Sequence, residues 1–364
     1  SSIISGSEVL QSSNKTTYNG NHGLNAQWTV YNGSKRLKTI EQEKLNNRVA
    51  DLDVATSEND IEQSIAQVYI QILYAAESVK VNENTLQVSE AQRDRGKQLL
   101  DAGSIARSDY AQLEAQVSTD RYQLVTAQAT LQDYKLQLKQ LLELDGEQEM
   151  QVYLPALGDE NVLSPLPTKT DVFRSAVALR PEIEASKLSV EASELGIGIA
   201  KSGYLPSVSL TAGIGTNHTS GSDFTFGEQV KNGWNNSIGL SISVPIFNNR
   251  QTKSAVEKAK LQYQTSQLTL LDEQKTLYKT IEGLWLDANS AQQRYAAAIE
   301  KLHSTQTSYE LVSEQFNAGM KNTVELLTEK NNLLQAQQEL LQSKYMAILN
   351  TQLLKFYQGD KITL

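Results

Sequence analysis

From Ser34 to Leu100 nothing in the chain stops a helix: there is no proline, and Gly96 comes only near the end. Apolar residues recur at three- and four-residue steps, at Leu37, Ile40, Leu45, Val49 and Leu52, then Ile61, Ile65, Val68 and Ile72. That is the spacing of one helix face. About 67 residues at ~1.5 Å each make a rod of roughly 100 Å. Such a rod cannot fold back inside a small domain, and a periodic pattern beyond ~25 residues points to coiled-coil packing. It ends at "LDAGSIARSDYA" (Leu100 to Ala111), and a return helix is expected over Ser108–Leu144.

The same order of parts occurs twice. Placing Gly103 on Gly319 sets an offset of 216, which holds without a gap over about a hundred residues. It pairs "TVYNGSK" (29–35) with "PIFNNRQ" (245–251), Leu24 with Leu240, Leu45 with Leu261, and Leu52 with Leu268. Ile65 falls on Ile281, Ala102 on Ala318, Asp109 on Glu325 and Leu124 on Leu340. Shared composition does not align a strand end, a glycine break and an acidic position together. The second copy therefore carries a rod over Thr252–Phe316, a turn at "FNAGMKNTVELL" (316–327) and a return helix over Thr323–Tyr357. Each return leg spans only some 55 Å. In the first copy an irregular stretch (145–169, with Pro155, Pro165 and Pro167) leads to a third helix over Thr170–Gly203 that makes up the length. The offset puts the matching helix of the second copy ahead of Ser1, so the native chain is expected to carry an N-terminal helix and the start of a strand.

Ahead of each rod lie alternating strands. Leu24, Ala26, Trp28 and Val30 point one way over 22–32, with Asn25, Gln27 and Thr29 the other. Val208, Leu210, Ala212 and Ile214 alternate with Ser, Thr and Gly over 206–217, as do Ile238, Leu240, Ile242, Val244 and Ile246 over 233–247. Period two with one apolar face is a half-buried strand. The segment 217–236 reads as a Gly/Asn/Ser-rich loop, and Ile3–Val9 as a partial fourth strand. Four strands cannot close a barrel, and open edges with an apolar face aggregate unless covered or paired. Either a helix layer packs on that face or several chains pool their strands. A polar face of Ser, Thr and Gly suits the lumen of a barrel whose outside meets lipid. Trp28, Tyr31, Tyr204, Trp234 and Phe247, at or near strand ends, are placed to form aromatic belts at two membrane interfaces. Read as a soluble sandwich, the same residues would be core aromatics.

Composition narrows the function classes. Net charge is −9, and phosphate binding needs a basic face, so nucleic acid is not an expected partner. A mean hydropathy of −0.41 is low for one large core in 364 residues. There is no cysteine, hence no disulfide framework, thiolate nucleophile or Cys-based metal site. No apolar window of about 18 residues exists for a transmembrane helix. His22, His218 and His303 are scattered without carboxylate or metal spacing, and no phosphate loop or nucleophile elbow is present. Neither an enzyme, a cofactor nor a metal is expected.

Four stretches carry a resemblance over essentially the whole chain. "YLPSVSLTAGIG" (204–215), "SISVPIFNN" (241–249), "LRPEIEAS" (179–186) and "FNAGMKNTVELL" are together similar to the TolC family of outer-membrane efflux proteins. The resemblance implies a mainly α protein with a small β part: long antiparallel coiled-coil-like helices forming a periplasmic α-barrel, and strands given to a twelve-stranded outer-membrane β-barrel of a homotrimer. It places barrel strands at 1–32 and 206–248, helical barrel at 33–144, 170–205 and 249–357, and an equatorial region at 145–169 and 358–364. It implies a passive exit duct in the Gram-negative outer membrane, working with a periplasmic adaptor and, through it, an inner-membrane pump.

By the same resemblance the two turns, Ala102–Gly103 and Ala318–Gly319, form the duct's inner end and the adaptor's docking place. Asp109 and Glu325 match the family's acidic tip positions, so threefold symmetry would put six carboxylates around a narrow mouth and favour cations. Each acid equally suits the first turn of the helix it opens. The chain departs from the family pattern where a tip tyrosine is Phe316, an arginine is Lys321 and a second acid is Thr328. Arg107, two residues before Asp109, is placed to offset part of its charge. The rival expectation is a soluble helical scaffold or coiled-coil adhesin with a small β module.

Overall fold

The structure, a computed structural model, describes residues 16–145, 150–155, 157–158 and 162–362. The expected strand at Ile3–Val9 lies outside them. The chain divides into two compact units, one of Ser1–Asn46 with Val190–Ser266 and one of Asn47–Ser189 with Gln267–Leu364. In chain order the elements are β1 (Asn19–Asn32), α1 (Lys35–Asp101), α2 (Arg107–Leu141), α3 (Lys169–Leu179), α4 (Pro181–Lys201), β2 (Ser207–Thr219), α5 (Phe226–Asn232), β3 (Asn235–Ser243), α6 (Gln251–Asn317) and α7 (Thr323–Gln358).

The duplication is carried by the backbone. The two rods α1 and α6 are both 67 residues long, and both ends are separated by the offset of 216. The joints that feed them agree as well. Gly33 and Ser34 have φ of 67° and 63°, and their counterparts Asn249 and Arg250 have 47° and 61°. Two successive left-handed residues turn the strand sharply into the helix, a conformation that Ser and Arg adopt only when the surroundings impose it. At Gly33 a side chain is also excluded, because a Cβ would stand 2.8 Å from the Ser202 carbonyl oxygen.

In the first unit the three described strands form one antiparallel sheet in the order β1-β2-β3. Leu24 pairs with Ile214, Ala26 with Ala212 and Trp28 with Leu210, while Ala212 pairs with Ile238, Leu210 with Leu240 and Val208 with Ile242. One face is therefore apolar from edge to edge. The opposite face carries Asn25, Gly213 and Ser237, then Gln27, Thr211 and Gly239, then Thr29, Ser209 and Ser241. The expectation for Val30 is corrected. A bulge between Thr29 and Tyr31 leaves Val30 unpaired and brings Tyr31 opposite Val208, so Tyr31 takes the apolar face. β3 also stops at Ser243 instead of 247, ahead of Pro245, which has no N–H to continue a ladder. The apolar face is bare: Ile238 is 84% exposed and Leu240 67%.

In the second unit two hydrophobic clusters hold the helices. One joins Ile70, Leu73, Val162, Ala291, Tyr295, Tyr345, Ala347 and Ile348. The other joins Val172, Ala176, Ile183, Leu277, Ile281, Ala288, Leu354 and Tyr357. The irregular stretch between α2 and α3 is laid on these helices by side chains that reach its carbonyl groups. Gln292 Nε2 donates to Val162 and Ser164 at 2.8 Å each, Trp285 Nε1 to Pro167 at 3.0 Å, and Tyr69 Oη to Tyr153 at 2.7 Å. Backbone outside regular structure must find such partners when covered.

The single helix expected over Thr170–Gly203 is two. Arg180 is extended at φ −73°, ψ 125°, as a residue before proline is pushed to be, and Pro181 opens α4 where its missing N–H costs nothing. The break fixes Arg180: its buried guanidinium lies 4.5 Å from the Tyr357 ring centroid, and Nε donates to Glu182 at 2.9 Å. α4 then ends in a short 3₁₀ turn at Ser202–Tyr204.

Candidate functional site

The two helix turns are the same object built twice. At the first, Gly103 N donates to the Leu100 carbonyl at 2.9 Å and Ser104 N to that of Leu99 at 2.8 Å. At the second, Gly319 N donates to Phe316 at 2.9 Å and Met320 N to Gln315 at 2.8 Å. Both are Schellman turns, which satisfy the last helical carbonyls through one left-handed residue. Gly103 has φ 72° and Gly319 φ 75°. A Cβ on either would meet no atom within 4 Å, so conformation alone calls for glycine here.

The acids six residues on do local work. Asp109 Oδ2 accepts from the Ala106 N–H at 3.3 Å, since alanine offers no side-chain cap at that position. Glu325 completes a full capping box: its N–H donates to Asn322 Oδ1 at 2.9 Å, and its Oε2 accepts from Asn322 N at 3.1 Å. Lys321 Nζ adds an ion pair to Glu325 Oε1 at 2.5 Å. That ammonium, and then the Asn322 N–H, hold the Glu325 carboxyl below the usual carboxylate range. Lys321 is thus engaged within its own turn. Arg107 is the first residue of α2, and the bond that Asp109 makes is to the Ala106 backbone. Phe316, in the last turn of α6, is only 3% exposed: it packs inward, away from the surface of the turn. Thr328 bonds back to the Val324 carbonyl at 2.8 Å.

Behind the turns the two hairpins, α1–α2 and α6–α7, are tied by residues that the sequence did not single out. Lys330 of α7 donates to both Ser89 Oγ of α1 and Asp120 Oδ2 of α2, and Ser89 Oγ also donates to Asp120. Gln116 Nε2 closes the second carboxylate oxygen at 2.9 Å. The Lys330 and Asp120 side chains are 4% and 3% exposed. The rods themselves are joined by Gln92 Nε2, which donates to Tyr309 Oη at 2.7 Å, and by Arg95 Nη2, which donates to the Asn317 carbonyl at 3.5 Å. The duplication held the signal: Asp120 falls on Ala336, a fully buried position, and Lys330 falls on Glu114. A carboxylate where the other copy keeps a core alanine needs a buried cation. Gly96 serves the same hairpin, because a side chain there would collide with Leu113 of α2.

The expected belt residues all lie in the first unit and are all exposed. Trp28 sits within β1, opposite Leu210, and not at its end. Tyr31 flanks the bulge, Tyr204 lies in the 3₁₀ turn before β2, Trp234 directly precedes β3, and Phe247 follows it.

The family described as outer membrane efflux protein matches residues 2–143 and 172–359. Outer membrane protein TolC of Escherichia coli is 25% identical over 335 residues, covering 88% of this chain and 66% of the relative. Cation efflux system protein CusC from another Escherichia coli strain is 26% identical over 352 residues, covering 94% and 72%. A crystal structure of CusC superposes with a TM-score of 0.79 at 18% identity, covering 94% of this chain and 82% of that one. This chain spans about two thirds of the length of the curated relatives it matches.

Proposed function

The chain belongs to the outer membrane efflux protein family, and from that premise we propose that it is the outer-membrane exit duct of a tripartite efflux or secretion system. The observation that carries the reading is the sheet. It has one face apolar and bare, the other lined by Ser, Thr, Gly and Asn, and its two outer strands, β1 and β3, are repeat equivalents. A soluble scaffold would have to cover that face. A barrel pooled from three chains in a membrane turns it to lipid and pairs the edges.

In this reading 1–32 and 206–248 belong to the barrel, 33–144, 170–205 and 249–357 to the periplasmic helical barrel, and 145–169 with 358–364 to the equatorial region. The aromatic residues Trp28, Tyr31, Tyr204, Trp234 and Phe247 lie at the membrane interfaces. The glycine turns form the inner mouth and the docking place of a periplasmic adaptor, through which an inner-membrane pump supplies energy. The duct itself needs no catalytic chemistry.

Asp109 and Glu325 then have two tasks at once, capping their helices and giving the mouth of a homotrimer six carboxylates. The depressed pKa of Glu325 keeps its charge on at periplasmic pH, while the Lys321 pair reduces the field it projects. The experiment is conductance of the purified protein in planar bilayers. Asp109→Ala with Glu325→Ala is expected to lower cation-over-anion selectivity. Unchanged selectivity refutes the ring, and absence of any channel refutes the duct.

A further inference from the structure

The segment between β2 and β3, expected to be a loop, contains the helix α5. It starts at Thr225, whose Oγ1 accepts from Glu228 N at 3.4 Å while Glu228 Oε2 accepts from Thr225 N at 2.9 Å. More telling is the side of the sheet on which it lies. Along β2, Thr216 and His218 share the parity of Ile214, Ala212 and Leu210, the apolar face. Thr216 Oγ1 donates to the Val230 carbonyl at 2.9 Å. The Phe226 ring meets the His218 ring edge-on at 5.0 Å, and His218 in turn stacks on His22 of β1 at 5.6 Å. The Thr219 N–H donates to Gln229 Oε1 at 2.8 Å, and Gln229 Nε2 donates to the Phe224 carbonyl at 2.8 Å. The helix is therefore tied back over the apolar side of the sheet, at the end where β2 finishes and β3 begins.

Tied down in this way, α5 still leaves Phe224 and Phe226 60% exposed each, and Trp234, directly ahead of β3, is exposed as well. The short helix, the Phe226 ring on His218 and Trp234, which shares the parity of Ile238 and Leu240, thus continue the apolar face at one rim, with Phe224 exposed just ahead of the helix. A plug or lid for the lumen would have to lie on the polar face, and α5 does not. Aromatic side chains favour the zone between headgroups and acyl chains, where a short amphipathic element beds some 5–10 Å deep.

We propose that α5 is an interfacial anchor: Phe224, Phe226 and Trp234 sit in the headgroup–acyl boundary of the outer leaflet and fix the height of the barrel in the membrane. The lipid surface is the chosen occupant because α5 is continuous with the face assigned to lipid. This rests on the membrane reading above, and the test separates the two. The chain has no cysteine, so single substitutions Phe226→Cys, Ile238→Cys and Ser237→Cys can each carry one nitroxide in dioleoylphosphatidylcholine vesicles. Collisional access to oxygen, which concentrates in lipid, is compared with access to a water-soluble nickel chelate.

The oxygen-to-chelate ratio is expected to be high at Ile238→Cys, low at Ser237→Cys and between the two at Phe226→Cys. A Phe226→Cys ratio at or below that of Ser237→Cys, with Ile238→Cys still high, overturns the anchor and leaves the barrel standing. A Phe226→Cys label closed to both reagents means that a neighbouring chain covers α5, and this also overturns it. A low ratio at Ile238→Cys overturns the membrane reading itself.

Discussion

Lys330→Met is the sharpest perturbation of the link between the hairpins. Methionine keeps an unbranched stem among the neighbours of Lys330 but leaves the Asp120 carboxylate, 3% exposed, with only the Ser89 hydroxyl and the Gln116 amide. Breaking a buried pair on one side costs about 3–5 kcal/mol, because a charge stays behind without its counter-ion. An exposed pair such as Lys301–Glu339, at 2.8 Å, contributes only ~0–1 kcal/mol. The assay is urea unfolding of the detergent-solubilised protein followed by helical circular dichroism, where the midpoint should fall at unchanged slope. Adding Asp120→Leu removes both charges and should recover most of the loss, to within about 1 kcal/mol of the native chain. A single-variant cost below ~1 kcal/mol, or a double variant as weak as the two singles summed, refutes the reasoning.

Gly103→Ala and Gly319→Ala should each lower stability by about 1 kcal/mol through the left-handed conformation alone; thermal melts should show equal shifts, and a much larger loss at one turn would refute their equivalence. Lys321→Ala should return the Glu325 carboxyl toward its ordinary range. Because the folded pKa is depressed, the stability it adds is present above the unfolded value and lost as pH falls through the folded one. An infrared carboxylate titration that does not move on Lys321→Ala would show that the ammonium is not the main cause.

Much of the architecture was legible because it is periodic and repeated. Both rods, both return helices and both turns follow from apolar spacing and one offset, and they agree with the structure within a few residues. The missed elements depend on single residues that act against the local pattern. Pro181 splits a helix that its flanking apolar spacing favours, and the Thr225–Glu228 box starts a helix inside polar, glycine-rich sequence. The bulge at Val30 moves Tyr31 to the other face without altering any alternation that a reader could see. Ser89, Asp120 and Lys330 stand 31 and 210 residues apart in sequence, and each reads alone as a solvated helix position. Only packing brings them together.

The equal lengths of α1 and α6 limit how such a chain can change in size. One residue inserted in α1 between Leu73 and Ser89 would advance everything beyond it by ~1.5 Å and rotate it by roughly 100°. Ser89 would then turn away from Asp120 and Lys330, and Gln92 from Tyr309. The first glycine turn would also fall out of step with the second. Insertions and deletions in these rods keep both the side-chain faces and the turns in step only when they are whole heptads matched in both copies, so the chain can lengthen only in coordinated steps.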